Sequence, residues 1–132
     1  MPSVANTTYT ISLSKDGFIN DNIKYREYPN ATTFTTTNTL KIFEAFYSAK
    51  NKGKFKLYYC KIYDNDTLIR DFVPAQYNGQ YGMWDLVEDK FYRNAGTGSF
   101  TVGPEIKNYD EIYEVRKTSS ILPAGVELYD YI

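Results

Sequence analysis

Residues 55–73 read FKLYYCKIYDNDTLIRDFV, and this stretch decides the fold class. Two runs rich in aromatic and β-branched side chains, 55–63 and 67–73, flank Asp64-Asn65-Asp66, whose short polar side chains can fold back on the backbone of a turn. In the first run Tyr59, Lys61 and Tyr63 alternate with Cys60 and Ile62, the period of a strand that shows one set inward and the other outward. Arg70 and Asp71 then close the returning strand. The pattern predicts an antiparallel β-hairpin.

Toward the N-terminus, Tyr9, Ile11 and Leu13 alternate with Thr10 and Ser12, and Lys15-Asp16-Gly17 supplies turn chemistry. Phe18-Ile19, the turn Asn20-Asp21-Asn22 and the run 23–28 repeat the arrangement, so residues 9–28 read as a meander of tight hairpins closed by Pro29-Asn30. Residues 32–39 are a Thr-rich extended stretch. The apolar residues of 40–47 fit strand and short-helix periods imperfectly, and their neighbours favour strand. Toward the C-terminus, Pro74 opens a polar, Gly-containing loop through Gly82. A strand at 83–87 then turns at Glu88-Asp89-Lys90, pairing resumes at Phe91-Tyr92, and Asn94-Ala95-Gly96-Thr97-Gly98 bends the chain before a strand at 99–102. Gly103-Pro104 ends the compact part, 112–115 can add a strand, and 122–132 is an extended tail. No helix of three turns is encoded. Many short strands with turn signals between them predict an all-β, antiparallel sandwich or jelly roll.

Composition agrees with that class. At 132 residues the chain has the size of one domain, and 14 Tyr and 8 Phe against 2 Met favour a pleated surface. With 15 basic and 16 acidic residues there is no net field to hold a polyanion, which argues against nucleic acid. The basic concentration from Lys50 to Lys56 reads as a solvated hairpin tip. Cys60 has no second cysteine to pair with and reads as a small buried hydrophobe. No run approaches 18 apolar residues and the first residues lack a signal-peptide layout, so neither membrane insertion nor a leader is expected. The sequons at Asn6, Asn30 and Asn65 match chance expectation in an Asn- and Thr-rich chain.

The block from 57 to 103, LYYCKIYDNDTLIRDFVPAQYNGQYGMWDLVEDKFYRNAGTGSFTVG, resembles the closing half of a concanavalin A-like (LamG-like) sandwich module. The likeness lies in YCKIYDNDTLIRDFVP, GMWDLVEDKFYRNAGTGSF and the trailing VGPE, in that order; residues 8–28 also look like the family's central hairpins. Such modules recur in phage structural proteins and in surface proteins of gut bacteria. The resemblance implies a virion or cell-surface setting and an adhesive or structural role. Opening strands expected before Asn6 are missing, while LPAGVELYDYI at 122–132 resembles a module's opening. Either the chain is cut from a tandem array, or its sheet is completed by the C-terminal tail or by a neighbouring chain. The expected organisation is a sandwich domain over 1–104 and a C-terminal assembly extension over 105–132.

Zero histidines remove Ser-His-Asp, Cys-His and zinc-His chemistry. Asp64, Asp66, Asp71, Asp85 and Glu88 are the carboxylates from which a glycosidase pair would be drawn, yet nearly all fall in predicted turns, where Asp bonds locally. Asp64-Asn65-Asp66 begins like a calcium loop, but Ile69 and Ala75 stand where its Gly and Glu belong. No cofactor or metal is therefore assigned; a looser oxygen-ligand calcium site in a loop stays open. Gly96-Thr97-Gly98 is no phosphate cradle, since no helix follows it. The candidate binding surface is aromatic: Trp84 with Tyr77 and Tyr81 as a platform for a sugar ring, and Asn78, Gln80 and Asp85 as polar contacts. Against it stands Trp84 as a core residue beneath the loop.

The sequence thus predicts a non-catalytic structural or adhesion module of a virion or cell surface, of capsid-decoration or tail-fibre type. Its expected partners are further copies of itself, other surface proteins or a host glycan. The alternatives are a carbohydrate-binding module of a secreted enzyme and, third, a carboxylate glycosidase.

Overall fold

The computed structural model describes residues 7–14, 17–21, 23–26, 37, 39–45, 48–52, 55–107 and 122–132. The strand expected at 112–115, the turn at Lys15-Asp16, the closure at Pro29-Asn30 and most of the Thr-rich stretch fall outside them. Among the described residues every regular element is a β-strand and every pairing is antiparallel, so the chain is all-β. It divides into two compact units, residues 1–41 and 42–132.

The first unit is the meander expected from residues 9–28. It comprises β1 (Ile11–Ser14), β2 (Gly17–Asn20) and β3 (Ile23–Arg26) in spatial order β1-β2-β3. Asp21 takes the left-handed conformation at φ 46°, which a short polar side chain tolerates. Its Oδ1 accepts the Thr10 N–H at 2.8 Å and its own N–H donates to the Thr10 carbonyl at 3.0 Å, locking the turn onto the start of β1.

The second unit contains a two-stranded hairpin, β4 (Glu44–Ala45) with β5 (Ser48–Lys52), and a six-stranded sheet. Ala45 pairs with Ser48 and Glu44 with Lys52, so the first part of the basic run, Lys50 to Lys52, belongs to strand β5, while Gly53-Lys54 lies outside the described residues. The sheet runs β10 (Glu105–Ile106), β11 (Glu127–Tyr129), β7 (Thr67–Tyr77), β8 (Gln80–Asp85), β9 (Lys90–Arg93), with β6 (Cys60–Asp64) also on β7. The hairpin read from residues 55–73 is β6–β7, turning on Asn65 and Asp66 at φ 45° and 66°.

Strand β7 does not stop at Pro74. It continues to Tyr77, and the expected loop through Gly82 is instead the end of β7 and the start of β8 around a two-residue turn. Asn78 and Gly79, at φ 51° and 75°, give the left-handed pair of a hairpin turn whose twist matches its strands. Proline is accommodated because one edge of β7 changes partner there: β6 pairs with it up to Phe72 and β11 takes over at Ala75. A residue lacking an N–H fits where the ladder is interrupted.

The chain's end fills the rest of that edge. Leu128 pairs with Ala75 on one side and Ile106 on the other, and Glu127 pairs with Gln76. Beyond β11, Gly103 N–H donates to Tyr131 O at 2.9 Å and Asp130 N–H to Pro104 O at 2.9 Å. Ile132 and Leu57 exchange two bonds of 2.8 and 3.1 Å, so residues 55–59, expected as the front half of a strand on β7, turn to the C-terminus instead. The expected strand at 99–102 is irregular, and pairing begins at Gly103.

Both faces of the sheet are apolar. One carries Val73, Ala75, Trp84, Leu86, Val126 and Leu128; the other carries Phe72, Met83 and Ile132, with Cys60 and Ile62 against them. Alternation along β7 sends Phe72 one way and Val73 the other, and the C-terminal segment contributes to both clusters.

Candidate functional site

Where β6 and β11 part on the edge of β7, the sheet leaves a slot of about 200 Å³. Val73, Pro74 and Ile106 line it, with Tyr58, Tyr59, Tyr129 and Asp130 around them. Three separate pieces of backbone position these groups. Tyr58 and Tyr59 lie between Leu57, bonded to Ile132, and the first residue of β6. Tyr129 ends β11, and Asp130 is held by its N–H on Pro104.

Tyrosines pair on the backbone around this gap. Tyr129 meets Tyr81 edge to face with centroids 5.6 Å apart, and Tyr58 meets Tyr131 in the same manner at 5.8 Å. Tyr131 also lies against Gly103, where an added Cβ would fall 2.5 Å from its ring. Lys56 Nζ sits 4.3 Å from the centroid of Tyr131, and Lys61 Nζ 5.8 Å from that of Tyr59. The Tyr129 hydroxyl stands 3.0 Å from Glu127 Oε2 and 3.3 Å from Gln76 Oε1. Desolvation and the hydrogen bond to Glu127 push its pKa up to about 12, because both favour the neutral phenol.

The residues read from sequence as a sugar platform are divided by the fold. Trp84 is 3% exposed and packs in the first core cluster, its indole N–H buried without a hydrogen-bond partner. Tyr77 is half-buried, edge-on to both Trp84 and Phe91 at 5.8 Å. Asn78 occupies the turn and Gln80 and Tyr81 begin β8, all three exposed. Asp85 is fully buried; its Oδ1 accepts the N–H groups of Asp71 and Val87, each at 3.0 Å, and its Oδ2 lies 3.4 Å from Arg70 Nε. Of the six, Tyr81 alone is in ring contact with a residue lining the slot, Tyr129. Sequence reasoning missed Tyr58, Tyr59, Tyr129 and Asp130; their one signal was the excess of tyrosine over other aromatics.

Glu88 is also engaged. Arg70 bridges Asp85 to Glu88, whose Oε1 is 2.7 Å from the guanidinium, and Glu88 Oε2 accepts the Tyr92 hydroxyl at 2.8 Å, raising that phenol's pKa. Asp71 is buried beside Asp85, whereas Asp64 and Asp66 are exposed at the β6–β7 turn. Cys60 is half-buried against Phe72, and burial followed by the nearby Asp71 charge pushes its thiol up, away from the reactive thiolate. Among the described residues no three acidic or cysteine side chains converge on a common metal position, and no helix is long and apolar enough to cross a membrane. Compared with known proteins, the chain matches no family model, no curated protein and no solved structure.

Proposed function

We propose that this chain is a non-catalytic structural or adhesion module of a virion or cell surface, built as a concanavalin A-like sandwich, that mediates assembly or host attachment with weak glycan contact. The observation that carries the reading is the contact of exposed Tyr81 with half-buried Tyr129 on one face of the six-stranded sheet, where the C-terminal strand locks in. Rings on a rigid sheet offer large contact area at little conformational cost, which suits recognition. The buried carboxylates support the non-catalytic side of the reading: Asp85 caps backbone N–H groups and pairs with Arg70 rather than facing a cleft. The sequence resemblance at 57–103 supplies the virion or cell-surface setting and, with it, the expectation of self-association or contact with other surface proteins.

A glycan array probed with the intact chain, run beside light scattering of the same sample, tests the reading. Binding to one or more glycans, or a defined oligomer, is expected. A strictly monomeric chain that captures no glycan would overturn it.

A further inference from the structure

We propose that Asn78, at the tip of the β7–β8 hairpin, is a site of spontaneous covalent modification, its carboxamide converting with time to aspartate and isoaspartate, a reaction independent of any glycan or partner. The chemistry is intramolecular. The Gly79 amide gives up its proton to solvent and its nitrogen attacks the Asn78 carboxamide carbon. A new C–N bond closes a succinimide ring, and the bond to the side-chain nitrogen breaks to release ammonia, which takes a proton back from solvent. Water then opens the ring at either carbonyl. One opening leaves an aspartyl side chain; the other leaves an isoaspartyl link, in which the backbone runs through the former side chain. Water is the only other reactant, and no catalytic group is needed.

Every requirement of this reaction is met at Asn78, the one asparagine in the sequence followed by glycine. Asn78 and Gly79 are exposed beyond Tyr77 and Gln80, the last pair of the β7–β8 ladder. A Cβ added to Gly79 would meet no atom within 4 Å, so no side chain crowds the attacking nitrogen and the tip has room to bring the reacting atoms together. Among the described residues, neither the Asn78 carboxamide nor the Gly79 N–H makes a hydrogen bond that would have to break first. The other described asparagines each lack one of these conditions. Asn20 is buried, and the Asp21 N–H beside it is spent on the Thr10 carbonyl. Asn94 is held at both ends of its carboxamide, Oδ1 accepting the Gly96 N–H at 2.9 Å and Nδ2 donating to the Gly98 carbonyl. Asn51 and Asn65 are followed by Lys52 and Asp66, residues whose Cβ atoms hinder the attack. The products differ in consequence. Asp-Gly suits the same left-handed turn as Asn-Gly, so the aspartyl form keeps the hairpin and adds a negative charge to its tip, whereas the isoaspartyl form lengthens the turn backbone and spoils its match to the strands.

The test is to hold the intact chain in mildly alkaline buffer for weeks and to map acid and isoacid by peptide mass spectrometry, with methylation by an isoaspartate-specific methyltransferase as a second readout. A synthetic peptide of residues 75–82 in the same buffer serves as the clock. Conversion is expected at Asn78, faster than at Asn94 by roughly tenfold or more, since the hydrogen bonds holding that carboxamide must break before it can react. The rate should rise with pH, because the attacking nitrogen must lose its proton. Asn78→Gly removes the carboxamide while Gly-Gly still suits the turn, and it should abolish the isoaspartate signal of this hairpin. The proposal fails if Asn78 stays intact while the peptide converts, because the fold then protects the site. It fails equally if Asn65 or Asn94 converts as fast as Asn78, or if the isoaspartate signal of the chain is unchanged in Asn78→Gly.

Discussion

The clearest residue-scale result is that two adjacent residues with opposite preferences, Trp84 and Asp85, are both buried. Asp85 is tolerated at zero exposure because its carboxylate replaces water with two backbone donors and a guanidinium. Asp85→Ala would leave the N–H groups of Asp71 and Val87 without their acceptor, and urea denaturation should show a loss of roughly 2–4 kcal/mol. Asp85→Asn retains an oxygen at that position and should cost clearly less; equal losses would contradict the capping role. At Tyr129 the raised pKa sets a second expectation. The folded state favours the protonated phenol, so its contribution to stability is complete below the ordinary tyrosine value of 10.0 and disappears as pH rises through about 12. Alkaline titration of tyrosinate absorbance should therefore show a late-ionising component, to which Tyr92 also contributes, that shrinks by one ring in Tyr129→Phe. Ionisation of Tyr129 together with the exposed tyrosines would refute the assignment.

At the scale of elements, β11 determines how the sheet closes. A three-residue strand is weak alone, but this one is bonded along both edges, to β7 and to β10, and Leu128 is 1% exposed in the core. Leu128→Ala should cost roughly 2–5 kcal/mol by removing buried methyl groups and leaving a cavity, measurable as a lower denaturation midpoint at unchanged slope. A near-zero effect would mean that the sheet does not depend on its last strand. Elements were legible where the signal was local. The β6–β7 hairpin and the N-terminal meander follow from alternation and turn residues within a few positions. The β7–β8 turn was misplaced because Pro74 read as a strand end, although Asn78-Gly79 is among the strongest short-range hairpin signals. What outweighed the proline is a change of partner on β7, and both partners lie far away in sequence.

For the molecule as a whole, the sequence by itself determined the all-β antiparallel class, the absence of imidazole chemistry and an aromatic surplus that had to be placed somewhere. These are properties of composition and of contacts between near neighbours, which alternation and turn chemistry encode directly. The tertiary structure alone decided which aromatics are buried, how the chain divides at Lys41 and Ile42, and that residues 126–132 are laid between Leu57, β7 and β10. The slot belongs to that second group. Its walls come from residues 58–59, 73–74, 106 and 129–130, which meet only when the last strand takes its place, and no local pattern in the chain records that meeting.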